Sequence, residues 1–226
     1  MSQKDKLIKM KNNSILKINE IFKSIQGEST QMGTPCAFIR LTYCNLRCSY
    51  CDTEYSFHEG KDMSIAEILN EIKPMNTKLV EVTGGEPMVQ ENVIPLMEEL
   101  LKNKYEVLLE TSGAISLNEV PDEVKKIVDF KCPSSDMSDK NLWSIIEELN
   151  TEDEIKFVIG NRDDYDWTKE KIKKYNLNKQ WTVLISPVFD KMTLDKLAEW
   201  ILEDNLDVRL QLQMHKYIWD PDMRAV

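Results

Sequence analysis

Short apolar runs alternate with amphipathic stretches along almost the whole chain. Eight runs read as strands: residues 16–22, 37–43, 79–82, 106–109, 129–131, 155–159, 182–185 and 208–212. Most are brief and rich in Val, Ile and Leu, the composition of strands covered on both faces. Between them, apolar residues recur at helical spacing over 93–102, 142–149, 167–175 and 194–202. A further helix opens at Ser64-Ile65-Ala66-Glu67, a capping box, and must stop before Pro74. Strand and helix in alternation call for parallel strands joined by crossover helices. No internal repeat, low-complexity tract or linker rich in Gly, Pro or Ser interrupts the pattern. It predicts a single α/β domain over 1–226, preceded within that span by a polar, Lys-rich segment at 1–13.

The length of 226 residues suits one barrel-type unit better than two domains. A net charge of −10 argues against gripping nucleic acid by its phosphates, which needs a basic surface. The one basic run, 169–174, is broken by Glu170 and Ile172, as on a solvated helix face. Acidity also disfavours anionic membranes, and no stretch approaches the ~20 apolar residues of a membrane span. The first residues lack the apolar centre of a signal peptide. The expectation is a cytoplasmic protein with no nucleic-acid or membrane partner. Its five cysteines are then poor candidates for disulfides. Cys36 and Cys132 flank apolar runs and read as small, half-buried side chains.

The other three need a different account. Cys44-Asn45-Leu46-Arg47-Cys48-Ser49-Tyr50-Cys51 follows the apolar run 37–43, on a loop at the C-terminal end of a strand. In α/β barrels that end carries the chemistry. Three thiolates could hold a four-iron cluster and leave one iron open. They could hold zinc with an outside ligand, or form the buried stripe of a helix. Thr83-Gly84-Gly85-Glu86-Pro87 follows the run 79–82. Its paired glycines suit a close backbone approach to a ligand, and equally a tight turn.

The triplet and the pentad together resemble the radical S-adenosylmethionine (SAM) enzymes. A second set of motifs is more specific: Ser24-Ile25-Gln26-Gly27-Glu28, Phe38-Ile39-Arg40-Leu41, Cys44-Asn45-Leu46, Cys51-Asp52-Thr53, Glu110-Thr111-Ser112-Gly113, Lys131-Cys132-Pro133-Ser134-Ser135 and Gln213-Met214-His215-Lys216. From Leu16 to Pro221 the chain is similar to the 7-carboxy-7-deazaguanine synthase family. The resemblance implies an incomplete (β/α) barrel, and conversion of 6-carboxy-5,6,7,8-tetrahydropterin to 7-carboxy-7-deazaguanine with loss of ammonia. A 5′-deoxyadenosyl radical takes hydrogen from C6, the ring contracts, and the hydrogen is returned. A [4Fe–4S] cluster, SAM and Mg2+ are implied, as are a flavodoxin- or ferredoxin-like electron donor and a homodimer.

Residue by residue, the resemblance assigns Cys44, Cys48 and Cys51 to the cluster and Gly85, Glu86, Ser112, Lys131, Ser134 and Ser186 to SAM. Ile25, Gln26, Gly27, Glu28, Arg40, Thr83 and His215 fall to the pterin, with Arg40 suited to a carboxylate by its planar fork. Thr53 is the expected magnesium ligand, with Asp52 the alternative. No side chain is assigned as an acid or base. Three departures stand out: Ser29 replaces a glycine, Cys132 replaces a serine, and residues 222–226 extend past the proline where shorter members end. A glycyl-radical activase shares the cysteine triplet but gives no reason for Gln26-Gly27-Glu28 or Cys51-Asp52-Thr53. An electron carrier would normally bring a fourth cysteine ligand.

Overall fold

The computed structural model describes residues 14–226, so the segment 1–13 lies outside the described residues. Its frame is one nine-stranded sheet: β1 (Ile15–Ile25), β2 (Pro35–Leu41), β3 (Lys61–Ser64), β4 (Leu79–Gly84), β5 (Glu106–Thr111), β6 (Lys125–Phe130), β7 (Glu154–Ile159), β8 (Thr182–Pro187) and β9 (Arg209–Leu210). The spatial order is β3-β1-β2-β4-β5-β6-β7-β8-β9. From β2 onward every neighbouring pair is parallel. The sheet does not close, and the result is the incomplete (β/α) barrel that the resemblance implied.

The first two strands depart from the parallel expectation. β1 and β2 pair antiparallel, from Ile18 opposite Leu41 to Ile25 opposite Pro35. Only the short connection 26–34 joins them, too short for the dozen or more residues a parallel crossover needs. β3 pairs antiparallel with the other edge of β1. Its Lys-Asp-Met-Ser sequence has no apolar run, so periodicity could not reveal it. The last strand is shorter than the run 208–212, and its two residues are exposed.

The helices are α1 (Ile65–Ile72), α2 (Val93–Lys102), α3 (Arg162–Tyr175), α4 (Leu177–Gln180), α5 (Leu194–Glu203) and α6 (His215–Ile218). Ser64 and Glu67 form the capping box expected from sequence. Asn161 caps α3, and left-handed Asn176 ends it. The stretch 142–149 is a 3-10 segment, Trp143–Glu148, with no side chain capping its start and only Ile145 buried. His215 does not end a strand but begins α6.

Alternation along each strand divides the core. Ile39, Val80, Val82, Leu109, Val128, Ile155, Phe157 and Ile185 belong to the main cluster with Ile68, Leu96, Leu100 and Leu197 of the helices. A smaller cluster, Phe22, Cys36, Phe38, Leu79, Leu108 and Ile127, lies on the opposite face. Cys36 and Cys132 are fully buried, deeper than expected. The connection 26–34 reaches across to the far strands: Ser29 N donates to Gln211 Oε1 at 2.7 Å, Thr30 N to Glu154, and Met214 N to Gly27 O.

Candidate active site

A cavity of about 910 Å³ opens at the C-terminal ends of the parallel strands. Cys44, Cys48 and Cys51 all line it and are partly exposed. Their loop is irregular, so the helical-stripe reading does not hold. It is pinned by Leu46, which is buried, by Ser49 bonding the backbone of Ser134 and Ser135, and by Arg47 stacked on Phe57 at 4.2 Å. The other two thiols point elsewhere, Cys36 to the Ala37 carbonyl and Cys132 to Thr168 Oγ1. Among the described residues no trio of His, Cys, Asp or Glu converges on a single ion. A donor set of three thiols facing one cavity suits a polynuclear cluster with an open iron. Burial raises the Cys44 thiol and pushes Cys48 up to about 11, so both stay protonated until a metal takes them.

The glycine pentad braces this loop. Tyr43 adopts φ +77°, a left-handed conformation that turns its carbonyl toward β4. Glu86 N donates to that carbonyl at 2.8 Å, and Gly85 N to the Leu41 carbonyl at 3.2 Å. A Cβ on Gly85 would lie 2.2 Å from the Tyr43 oxygen and 2.9 Å from Cys44 Cβ. Glycine is therefore demanded by the protein's own backbone before any ligand arrives. The Glu86 carboxylate is fully buried and accepts from Met88 N, Thr111 Oγ1, Ser112 N and Ser112 Oγ at 2.6–3.0 Å. Glu86 thus stands behind the cavity wall, while Gly85 and Ser112 form part of it.

Below the cysteine loop the inner strand positions turn polar. Glu81 (β4), Glu110 (β5), Asp129 (β6) and Lys156 (β7) line the cavity with Gln26 and Glu28. Lys156, 6% exposed, contacts Glu28, Glu110 at 2.7 Å and Asp129 at 4.0 Å. Burial alone would lower its ammonium, but Glu110, Glu28 and Asp129 hold it well above the ordinary lysine range. Burial would likewise raise Glu28, yet Lys156 holds it down. Glu81 is pushed well above the usual carboxylate range, first by burial and then by Glu110 and Glu28. Lys156 and Arg40 oppose that rise without cancelling it, and burial raises the neighbouring Glu110 as well. The Gln26 amide is anchored at both ends, donating to Glu81 and accepting from Glu28 N. Asp129 Oδ2 holds Lys131 at 2.8 Å, whereas its Oδ1 is buried without a partner. Sequence reading passed over Glu81, Asp129 and Lys156. The available signal was a charged residue inside an apolar strand, at the parity shared with Thr83 or Lys131.

Around the rim, Arg40 Nε donates to Glu20 Oε1 at 2.7 Å, and burial is outweighed by neighbouring Tyr55 and Glu20 in raising its guanidinium further. Asp52 pairs with Lys216 at 2.7 Å; burial would raise its carboxyl, but Lys216 holds it at about 2. Thr53 lines the cavity, with Oγ1 3.7 Å from Cys51 Sγ. His215 packs against Gly27, where a Cβ would come within 2.4 Å of Nδ1. Burial lowers that imidazole below 6.5. Ser29 takes φ +60°, in the left-handed region that favours glycine. Ile25, Thr83 and Lys131 also line the cavity. Ser134 and Ser186 do not: Ser134 binds Asp164, and Ser186 is buried in β8 opposite Val158.

The sequence pattern of the Radical SAM superfamily matches residues 38–203. A 7-carboxy-7-deazaguanine synthase of Koribacter versatilis (strain Ellin345) is 46% identical, over 93% of this chain and 100% of that protein. One from Chlorobaculum tepidum is 42% identical, over 93% of this chain and 97% of the relative. The crystal structure of QueE from Escherichia coli superposes with a TM-score of 0.77 at 25% identity, covering 92% of this chain and 98% of that one.

Proposed function

The chain belongs to the 7-carboxy-7-deazaguanine synthases of the radical SAM superfamily, and on that premise we propose how its residues divide the work. It is a carbon–nitrogen lyase of deazapurine biosynthesis that uses a [4Fe–4S] cluster and SAM. Its substrate is a small molecule, 6-carboxy-5,6,7,8-tetrahydropterin, contracted to 7-carboxy-7-deazaguanine with loss of ammonia. When bound, cluster and cofactor supply the radical that borrows a substrate hydrogen. The relatives lend no support to the activase alternative.

Cys44, Cys48 and Cys51 hold the cluster. Gly85, Ser112 and Lys131 are the wall residues suited to SAM. Glu86 serves from behind by fixing Ser112 and the Tyr43 carbonyl, and Ser134 by fastening Ser49 of the cysteine loop through its backbone. Ser186 has a supporting position in β8 only. Arg40, with Nε engaged by Glu20, offers the rest of its fork to the substrate carboxylate. Gln26, the backbone of Ile25 and Gly27, Glu28, Thr83 and neutral His215 offer hydrogen-bonding groups to the flat pterin. Thr53 takes Mg2+, because Asp52 is already committed to Lys216. A flavodoxin- or ferredoxin-like donor, a homodimer, a single domain and a cytoplasmic location complete the reading. Among the described residues no helix is long and apolar enough to cross a membrane.

The observation that carries the reading is one cavity with three thiols on its rim, Arg40 at its side and a carboxylate–lysine floor. The test is an anaerobic assay of the reconstituted enzyme with the carboxy-tetrahydropterin, SAM and dithionite. Ring-contracted base and ammonia should appear together with SAM conserved. Cofactor cleavage without substrate turnover would sink the substrate assignment.

A further inference from the structure

The segment after α6 lies on the cavity. Pro221 through Val226 contribute to its lining, opposite the turn Glu54–Phe57 that follows Thr53. Two hydrogen bonds, Met223 N to Asp220 O and Asp222 N to Asp220 Oδ1, shape the segment internally. Its side-chain hydrogen bond to the rest of the chain, among the described residues, comes from Arg224, whose Nη1 donates to Glu59 Oε2 at 3.1 Å. The Arg224 guanidinium also stacks on the Tyr55 ring, 3.7 Å from its centroid. The other end of that ring is fixed as well: Tyr55 Oη donates to Glu20 Oε1 at 3.1 Å. The same oxygen accepts from Arg40 Nε at 2.7 Å.

These contacts form one continuous chain, Arg224–Tyr55–Glu20–Arg40, from the outer strap to the side of the cavity. A guanidinium over an aromatic face restrains the ring plane. The restrained ring directs its hydroxyl at Glu20. Glu20, receiving two donors on one oxygen, fixes the plane of the Arg40 fork. A bidentate pair with a carboxylate depends on that plane, so the restraint bears on binding. We propose that Arg224 is a positioning residue for the substrate carboxylate: it fastens residues 220–226 across the cavity and, through Tyr55 and Glu20, sets the orientation of Arg40. The inference rests on Arg40 as the carboxylate partner.

Arg224 is half exposed, so its replacement leaves the core untouched. In Arg224→Ala, calorimetry should show substrate affinity weakened roughly ten-fold. KM should rise in parallel, and uncoupled 5′-deoxyadenosine per product should increase. SAM affinity, iron content and thermal unfolding should match the parent, which a merely structural role would not guarantee. Arg224→Lys should recover part of the loss, since an ammonium still stacks on Tyr55. Tyr55→Phe keeps the ring but drops the Glu20 bond, and should reproduce a portion of the defect. Arg40→Ala should abolish the response, so that Arg40→Ala/Arg224→Ala binds substrate no worse than Arg40→Ala alone. Normal binding by Arg224→Ala, with Arg40→Ala impaired, overturns the proposal and spares the Arg40 reading. Normal binding by Arg40→Ala overturns both. Additive losses in the double variant overturn the relay.

Discussion

Replacing Glu86 by Gln separates a ligand contact from a structural brace. The carboxylate is fully buried and accepts four hydrogen bonds, from Met88 N, Thr111 Oγ1, Ser112 N and Ser112 Oγ. Gln has nearly the same shape but only one accepting oxygen. Whichever way the amide faces, its NH2 meets a backbone N–H, of Met88 or of Ser112. The accompanying hydroxyl can turn, but the N–H cannot, and a buried donor without a partner costs roughly 1–3 kcal/mol. The two retained bonds change from charge-assisted to neutral and weaken by about 1 kcal/mol each. The sum is about 4 kcal/mol, a large part of the 5–15 kcal/mol of a typical domain. With an m-value of about 2–3 kcal/mol per M, the urea midpoint should fall by roughly 1.5 M. Anaerobic urea titration of the reconstituted holoenzyme, followed by tryptophan fluorescence, measures the midpoint, and calorimetry measures SAM affinity on the same samples. An unchanged midpoint with SAM binding lost would refute the reasoning and put Glu86 on the ligand.

Four further outcomes are expected. Cys48→Ala should lower iron per chain on reconstitution, while Cys36→Ala should keep the iron and lose only about 1–2 kcal/mol of packing; equal iron loss in both would overturn the ligand set. Gly85→Ala should weaken SAM binding and cluster retention together, because the methyl pushes on the Tyr43 carbonyl and Cys44; a pure SAM defect with full iron would contradict this. Thr53→Val should lose magnesium stimulation of turnover and Thr53→Ser keep it, and a parent-like response in Thr53→Val would shift the role to Asp52. His215 is held below 6.5 by burial, so its contribution to stability is complete above the unfolded value and lost as pH falls through the folded one. Substrate KM should accordingly be flat near pH 7 and rise only on further acidification, and His215→Asn should remove that acidic limb; an unchanged limb would assign it to another group.

Much of this protein is written locally in its sequence. The eight apolar runs all became strands, α2 spans the residues its periodicity marked, and Ser64 with Glu67 built the capping box. Such features depend on residues within a turn or two of each other, so spacing and side-chain type suffice. The same holds for the cysteine triplet and the pentad, whose chemistry lies in adjacent residues. Tertiary structure decided what depends on partners far along the chain. It made β1 and β2 antiparallel and added β3, whose polar sequence finds its pairing only on the edge of β1. Glu86 went behind the wall because Thr111, which ends β5, and Ser112 just after it converge on its carboxylate. Gly85 proved necessary because the Tyr43 carbonyl occupies the space its Cβ would need. The floor around Lys156 gathers residues from β4, β5, β6 and β7, and Arg224 meets Tyr55 across most of the chain. Alternation tells which residues share a face of a strand, but only packing of helices on one side decides which face is left to hold charge.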